Sequence, residues 1–128
     1  MTLDEIAAYC LLKPGAYLDF PFTPFLPVVR VKAPSQRKGR IFAQLLLLNG
    51  EPKVTLNCTP ASALYYRETY PGAVTRGWHC PPVMQPHFNT VALSGAVPDG
   101  ELRRMIDHAY ETVVAKYPRQ IQREILGA

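Results

Sequence analysis

The sequence lacks the features by which membrane proteins, secreted proteins and nucleotide-binding enzymes are commonly recognised. Its longest apolar run, IFAQLLLL, is interrupted by Gln44 and is far shorter than the roughly 18 residues a membrane helix needs. The start, MTLDEIAAYC, has neither the basic residues nor the apolar stretch of a secretory signal. Phosphate-binding glycine motifs such as GxGxxG are absent. We therefore expect a cytoplasmic protein with no membrane partner.

Cysteine is scarce and unpaired in spacing. The three cysteines, at positions 10, 58 and 80, form no CxxC motif, and their odd number argues against a disulfide framework. Cys10 and Cys58 are predicted to be small core residues with free thiols. His79, Cys80 and His87 would supply three zinc ligands at most, and adjacent residues of an extended chain point apart. The sequence predicts no metal and no cofactor.

Catalytic constellations are also missing. The ten acidic residues are scattered or lie where the first turns of helices are predicted, so they form no pair for general acid and base catalysis. Cys80 could act as a nucleophile with His87 as its base and Asn89 or Asp107 behind it, but no flanking motif supports that arrangement. We therefore expect a protein that is not an enzyme.

What is present is the composition of an ordinary folded domain. The chain has 128 residues, of which 48% are hydrophobic and 19% charged. That length supports one hydrophobic core, so residues 1–128 are predicted to form a single domain. We expect a monomer or a weak dimer.

Three segments carry helix signals, and a fourth carries the signal of a short closing turn. Thr2 and Glu5 have the spacing of a capping box, and Thr59 before Pro60 is typical of an N-cap followed by a first-turn proline. A long helix is predicted from Asp99, and RQIQREIL after Pro118 predicts one closing turn or two. The long helix has one apolar face, on which Ile106 and Val113 are expected to be nearly inaccessible: Leu102, Met105, Ile106, Ala109, Tyr110, Val113 and Tyr117.

Short aromatic and β-branched runs between turn residues predict the strands. The Asn49-Gly50 pair predicts a hairpin. Within VVRV, the two-residue period places Arg30 opposite the core-facing Val29 and Val31. The order of helix, strands, helix, strands and helix predicts an α+β fold with one mainly antiparallel sheet of five or six strands and helices packed on it. The candidate strands are YLDFPF, FLPVVRVK, RIFAQLLLL, KVTLNC, AVTRGWH and FNTVALSG.

Positive charge is concentrated in the middle of the chain. The net charge is +4, and the strip RVKAPSQRKGR at positions 30–40 holds five cations and no acid. Such a strip suits a polyanion such as nucleic acid, or an acidic protein partner, and it is also typical of a solvated hairpin tip that keeps a protein soluble. The first hypothesis predicts phosphate contacts from Arg30, Lys32, Arg37, Lys38 and Arg40.

The stretch GWHCPPVMQPHFNT, residues 77–90, holds the only tryptophan and two of the three histidines. Its three prolines fix φ and remove donors, which favours a stiff connector with Trp78 and Phe88 as its anchors. The same stiffness could present His79 and His87 on a recognition surface.

Three segments together resemble the MmcQ/YjbR family: the opening MTLDEIAAYCLLKPGA, the strand KVTLNC before a Thr-Pro helix start, and HFNTVALSGAVPDGELRRMIDHAYETVV near the end. The resemblance runs from Thr2 to about Ile125. It implies a compact α+β fold similar in shape to frataxin-like proteins and secretion chaperones, and a DNA-binding role through a double-wing motif. Many members have lysine where Pro86 stands, so a phosphate contact is not expected from that position.

Two hypotheses of function follow. The first is sequence-nonspecific binding of DNA or another nucleic acid through the basic hairpin. The alternative is a protein-interaction or chaperone-like module without a nucleic-acid partner. Cations continuous from the hairpin to the proline-rich stretch would favour the first, and an isolated tip beside an apolar patch would favour the second. The candidate contact residues are Arg30, Lys32, Arg37, Lys38, Arg40, Arg76, His79 and His87.

Overall fold

The helices begin where the sequence predicts them. In the computed structural model, which describes residues 1–127, the side chain of Thr2 accepts a hydrogen bond from the Glu5 amide at 3.1 Å. Thr2 N donates to the Glu5 carboxylate at 2.9 Å, which completes the capping box. Thr59 caps the second helix in turn. The four α-helices are α1 Leu3–Leu11, α2 Pro60–Thr69, α3 Asp99–Val114 and α4 Arg119–Leu126.

The strands form one six-stranded sheet in the order β1-β2-β3-β4-β6-β5, and every pair of neighbouring strands is antiparallel. This confirms the predicted α+β fold. The strands are β1 Ala16–Asp19, β2 Val28–Val31, β3 Arg40–Leu48, β4 Glu51–Asn57, β5 Val74–Arg76 and β6 Phe88–Ala92.

Asn49 and Gly50 form a two-residue turn between β3 and β4. Both have positive φ angles, of 52° and 79°, as tight hairpin turns of this kind require. The predicted strand YLDFPF is wrong for residues 20–22, since β1 ends at Asp19. Pro21, Pro24 and Pro27 lack the N–H that a strand ladder uses, so residues 20–27 form a loop. We call this segment the β1–β2 loop.

The core lies between the sheet and the helices. Ile106 and Val113 are 0% and 1% exposed, which confirms the predicted inner face of α3. Cys10 and Cys58 are buried as predicted, and burial raises the pKa of their thiols to about 12 and about 11. Tyr117 lies just beyond α3 and is still buried, with its hydroxyl donating to the Val31 carbonyl at 2.8 Å. No helix within residues 1–127 has the length and apolar character to cross a membrane.

Strand alternation gives the sheet two distinct faces. Val54, Leu56 and Val91 point into the core with the helices. Their neighbours Thr55 and Thr90 therefore lie on the opposite side, which we call the open face. The two loops that fold onto the open face form the candidate site.

Candidate binding groove and basic turn

The β1–β2 loop supplies the first wall of the candidate site. It is rich in phenylalanine, and Phe20, Phe22 and Phe25 are exposed, Phe25 to 85%. Within the loop, the hydroxyl of Thr23 accepts hydrogen bonds from the amides of Phe25 and Leu26 at 3.2 and 3.0 Å. These bonds shape the loop so that Phe22 lines the open face.

Residues 77–87, which we call the proline loop, supply the second wall. Its backbone is tied to β6, because Gly77 N donates to the Phe88 carbonyl at 3.1 Å and Trp78 N donates to Thr90 Oγ1 at 2.8 Å. A Cβ at Gly77 would lie 2.7 Å from the Phe88 Cβ, so only glycine allows this approach. The loop therefore rests directly on the open face.

Arg67 of α2 holds the far end of the proline loop. Its Nε donates to Asn89 Oδ1 at 2.6 Å, and its Nη2 donates to the carbonyl oxygens of Phe88 and Gln85. One cation thus satisfies an amide side chain and two backbone acceptors around the short 3₁₀ turn Gln85–His87. No local sequence pattern indicates this role of Arg67, because its partners lie about twenty residues away along the chain.

A groove runs between the two loops across the open face. Phe22, Gln44, Trp78 and His79 line two adjoining cavities of about 330 and 500 Å³. Trp78 is 42% exposed, so it forms a wall of the groove rather than the buried anchor that the sequence predicts. The His79 ring lies beside it, with the ring centres 3.9 Å apart, and His79 has a positive φ of 55°.

The groove is long and apolar. It follows β3 from Ile41 to Leu48, a length of about 23 Å at the usual rise of ~3.3 Å per residue. Aliphatic side chains form most of its floor. Among the described residues that line it there is no Asp, Glu, Lys or Arg, and His79 is the one ionisable group besides the Cys80 thiol.

Arg30 does not lie on a free basic surface. Its side chain is on the open face, as the alternation predicts, but Arg30 is only 9% exposed. Its Nε donates to Asp19 Oδ2 at 2.7 Å and its Nη1 donates to the Gly39 carbonyl at 2.8 Å. Both contacts are charge-assisted, so Arg30 is a structural link between β1, β2 and the turn that follows. This removes Arg30 from the predicted track of phosphate contacts.

The remaining cations of residues 32–40, the basic turn, diverge to the two sides of the sheet. Lys32 Nζ lies 5.3 Å from the ring centre of Tyr17, which shares the open face with Arg30. The Arg40 guanidinium lies 5.5 Å from the ring centre of Tyr117, on the helix side. The half-buried Lys32 and the exposed Arg40 therefore point to opposite sides of the sheet.

Lys38 directly precedes Gly39, the residue that ties the turn to the open face. The hydrogen bond from Arg30 is the main reason that the pKa of Asp19 lies below its usual value, and Lys38 is near enough to add a smaller electrostatic contribution. Arg37 beside it is exposed. The turn is anchored at Gly39, whose amide donates to the Tyr17 hydroxyl at 2.8 Å. Lys38 is thus held near one end of the groove.

The candidates from the later part of the chain are dispersed. Arg76 pairs in register with Asn89, on the helix side, and its Nη1 donates to Gln85 Oε1 at 3.3 Å. His87 is exposed on the 3₁₀ turn, while His79 lines the groove. The eight predicted contact residues therefore do not form a continuous basic surface, because Arg30 is buried and the apolar groove separates the basic turn from His79.

The groups considered for metal binding or nucleophilic catalysis are not brought together. Among residues 1–127, no three His, Cys, Asp or Glu side chains are grouped as metal ligands, so His79, Cys80 and His87 do not form such a site. The side chain of Asn89 is bound to Arg67, and Asp107 accepts hydrogen bonds from Tyr9 and Lys13. The side chains of Asn89 and Asp107 thus have other hydrogen-bond partners and do not orient His87 as a catalytic base.

Comparison with known proteins finds similar sequences over most of the chain. The family model described as YjbR matches residues 11–112 of this chain. The Escherichia coli (strain K12) "Uncharacterized protein YjbR" is 27% identical over 120 residues, which cover 94% of this chain and 93% of that protein.

Solved structures agree in fold. A crystal structure of a Deinococcus radiodurans protein with the domain DUF419 superposes with a TM-score of 0.84 at 25% identity, covering 98% of this chain and 88% of that one. A crystal structure of a Pseudomonas syringae protein gives a TM-score of 0.70 at 19% identity, covering 88% of this chain and 99% of that one. The second likeness is one of fold alone.

Proposed function

This chain belongs to the YjbR family, and from that premise we propose that it is a non-enzymatic binding module whose groove takes an extended segment of another protein. The family gives the fold, while the choice of ligand depends on the site. The observation that carries the proposal is the apolar groove of about 23 Å along β3, between Phe22 and Trp78.

The shape of the groove favours a peptide over other ligands. A length of about 23 Å matches seven or so residues in extended conformation. Aliphatic floor residues and two aromatic walls offer apolar contact to side chains, and Gln44 and Thr55 offer hydrogen bonds to a peptide backbone. Because no lysine or arginine lines it, the groove is poorly suited to a phosphate backbone.

A peptide-library selection tests the proposal. We expect phage that display nine random residues between neutral glycine and serine flanks to yield apolar sequences that bind this chain. Replacing Phe22 and Trp78 together by alanine should lower the affinity for the selected peptides about 30-fold. This is the loss expected when two aromatic anchors that together contribute ~2 kcal/mol are removed. Fluorescence anisotropy of labelled synthetic peptides gives the affinities.

Matched controls come from exposed apolar residues outside the groove. Val83 and Leu12 are 79% and 78% exposed and do not line it. Val83→Ala and Leu12→Ala should leave the affinity within about twofold, since scattered exposed apolar residues contribute little to a specific contact. Selection of no sequence, or equal binding by the Phe22/Trp78 variant, would contradict a peptide-binding groove.

A second candidate function, the binding of nucleic acid, is favoured by the cations of the basic turn, of which Lys32 is half-buried and Arg37 and Lys38 are exposed. Lys32, Arg37 and Lys38 have no ion-pair partner among the described residues. Three phosphate contacts would give weak, sequence-indifferent binding whose log K falls with log salt at a slope of about −2 to −3. Reversal of Arg37 and Lys38 to glutamate should abolish it without unfolding the domain, because exposed charges contribute little to stability.

Titration of labelled duplex and single-stranded DNA at two salt concentrations measures that candidate. Charge contacts to phosphate are only weakly screened near 20 mM salt. Absence of binding at that concentration would contradict nucleic-acid binding. Binding that is unaffected by charge reversal at Arg37 and Lys38 would also contradict this site.

A further inference from the structure

We propose that the segment bound in the groove is acidic at one end only, and that this end docks on Lys32, Arg37 and Lys38. The inference rests on the proposed function, because it concerns the ligand of the same groove. It follows from the distribution of charge around the two ends of β3.

The Ile41 end of the groove adjoins a patch of net positive charge. Lys32, Arg37 and Lys38 lie in the turn that leads into β3, and none of them forms an ion pair within residues 1–127. Lys32 lies beside Tyr17 on the open side of the turn, and Lys38 precedes Gly39, whose amide is bound to the hydroxyl of the same tyrosine. Their ammonium groups are therefore available to a chain that leaves this end of the groove.

The carboxylates at that end are already satisfied. Glu124 of α4 accepts a hydrogen bond from the hydroxyl of Ser35, within the basic turn, at 2.5 Å. Asp19 accepts hydrogen bonds from Arg30 Nε at 2.7 Å and from the Phe20 amide at 2.9 Å. The Arg30 charge offsets that of Asp19, so the pair leaves the field of Lys32 and Lys38 largely uncompensated. An acidic segment would meet net positive charge here.

The Leu48 end has a different balance. Glu51 pairs in register with Leu48, and Lys53 pairs with Leu46, so one acid and one base share the open face at this end. Their charges offset each other, and no further charged residue lines the nearby groove. Attraction of an acidic segment is thus confined to the Ile41 end, and the charge distribution also fixes the direction of the bound chain.

Synthetic peptides with the centre selected above and varied flanks test this inference. Three glutamates are placed at the amino end, at the carboxyl end or at neither, where serines replace them. We expect one glutamate form to bind about 10-fold more tightly than the serine form at low salt, and the other to show no such gain. The fluorescence of Trp78, the only tryptophan, reports binding.

Variants locate the effect on the basic turn. Lys32→Gln with Lys38→Gln should remove the gain while leaving the affinity for the serine form unchanged. Lys116→Gln with Arg119→Gln, two exposed cations where α3 is followed by α4, should preserve it. The gain should also shrink between 50 and 500 mM salt.

The outcomes separate the two proposals. If the serine form binds through Trp78 but neither glutamate form gains affinity, or both gain equally, the inference of a one-ended acidic ligand is wrong and the groove remains. If no peptide form binds, the proposed function itself fails. If single-stranded DNA displaces the glutamate peptide and its own binding needs Lys32 and Lys38, the basic turn serves nucleic acid and the inference is overturned.

Discussion

Replacing Ile106 with alanine is expected to lower the free energy of unfolding by about 2–4 kcal/mol. Ile106 lies in the middle of α3 and is 0% exposed in the core between helix and sheet. Alanine removes three buried carbon atoms and leaves a cavity that the surrounding strands fill only in part. Urea denaturation followed by circular dichroism gives the change, with the slope of the transition unaltered.

The control for Ile106 is an exposed residue of the same helix. Arg103 is exposed and has no side-chain contact that alanine would break within the described residues. Arg103→Ala should change the free energy of unfolding by less than about 0.5 kcal/mol. A loss below about 1 kcal/mol for Ile106→Ala would mean that this face of α3 is not packed in the core.

Replacing Arg67 with methionine is expected to cost about 2–3 kcal/mol and to loosen the proline loop. Methionine keeps much of the aliphatic length but removes the donors to Asn89 Oδ1 and to the carbonyls of Gln85 and Phe88. Asn89 Oδ1 and the Gln85 carbonyl, left without this donor and partly buried, carry most of this cost, since the Phe88 carbonyl keeps its hydrogen bond from Gly77. Urea denaturation gives the stability, and limited proteolysis should show faster cleavage within residues 77–87.

Arg76→Met is the matched change for Arg67→Met. Arg76 is also a basic residue beside the proline loop, but it is exposed and its side chain makes one long hydrogen bond, to Gln85. Its replacement should alter stability by less than about 0.5 kcal/mol and leave the cleavage pattern intact. Equal effects of the two variants would contradict the special role of Arg67.

The fold could be predicted from local signals because local chemistry and tertiary packing agree in this chain. The capping box at Thr2, the proline start at Pro60 and the turn at Asn49 each satisfy backbone groups within four residues, and the structure has all three. The helical spacing of the apolar residues in α3 could likewise be predicted, because it requires only that one face of the helix is buried.

The strand limits around the β1–β2 loop were harder to predict. Phe20 and Phe22 are good strand formers by type, and their alternation with Asp19 and Pro21 resembles a strand. Pro21, however, has no N–H to give, and the chain leaves the sheet at Phe20. The missing donor outweighs the propensity of the aromatic residues.

The site could be predicted only in part, since it is assembled from distant segments. The two-residue period of the strand correctly placed the side chain of Arg30 on the face opposite to that of Val29. The burial of Arg30, however, depends on its contacts with Asp19 and Gly39, which no local pattern predicts. The groove itself unites Phe22 and Trp78 across 56 positions of sequence. Their convergence follows from sheet order, in which the loops approach from opposite edges.

Amide chemical-shift mapping of the selected peptide on uniformly ¹⁵N-labelled protein tests the peptide-binding groove most directly. We predict shift changes in the β1–β2 loop, in the proline loop and in open-face residues such as Gln44 and Thr55, together with the side-chain amide of Gln44 and the indole N–H of Trp78. Residues on the outer surface of α3 should be unaffected. Changes confined to residues 32–40, or centred on α3, would contradict binding in the groove.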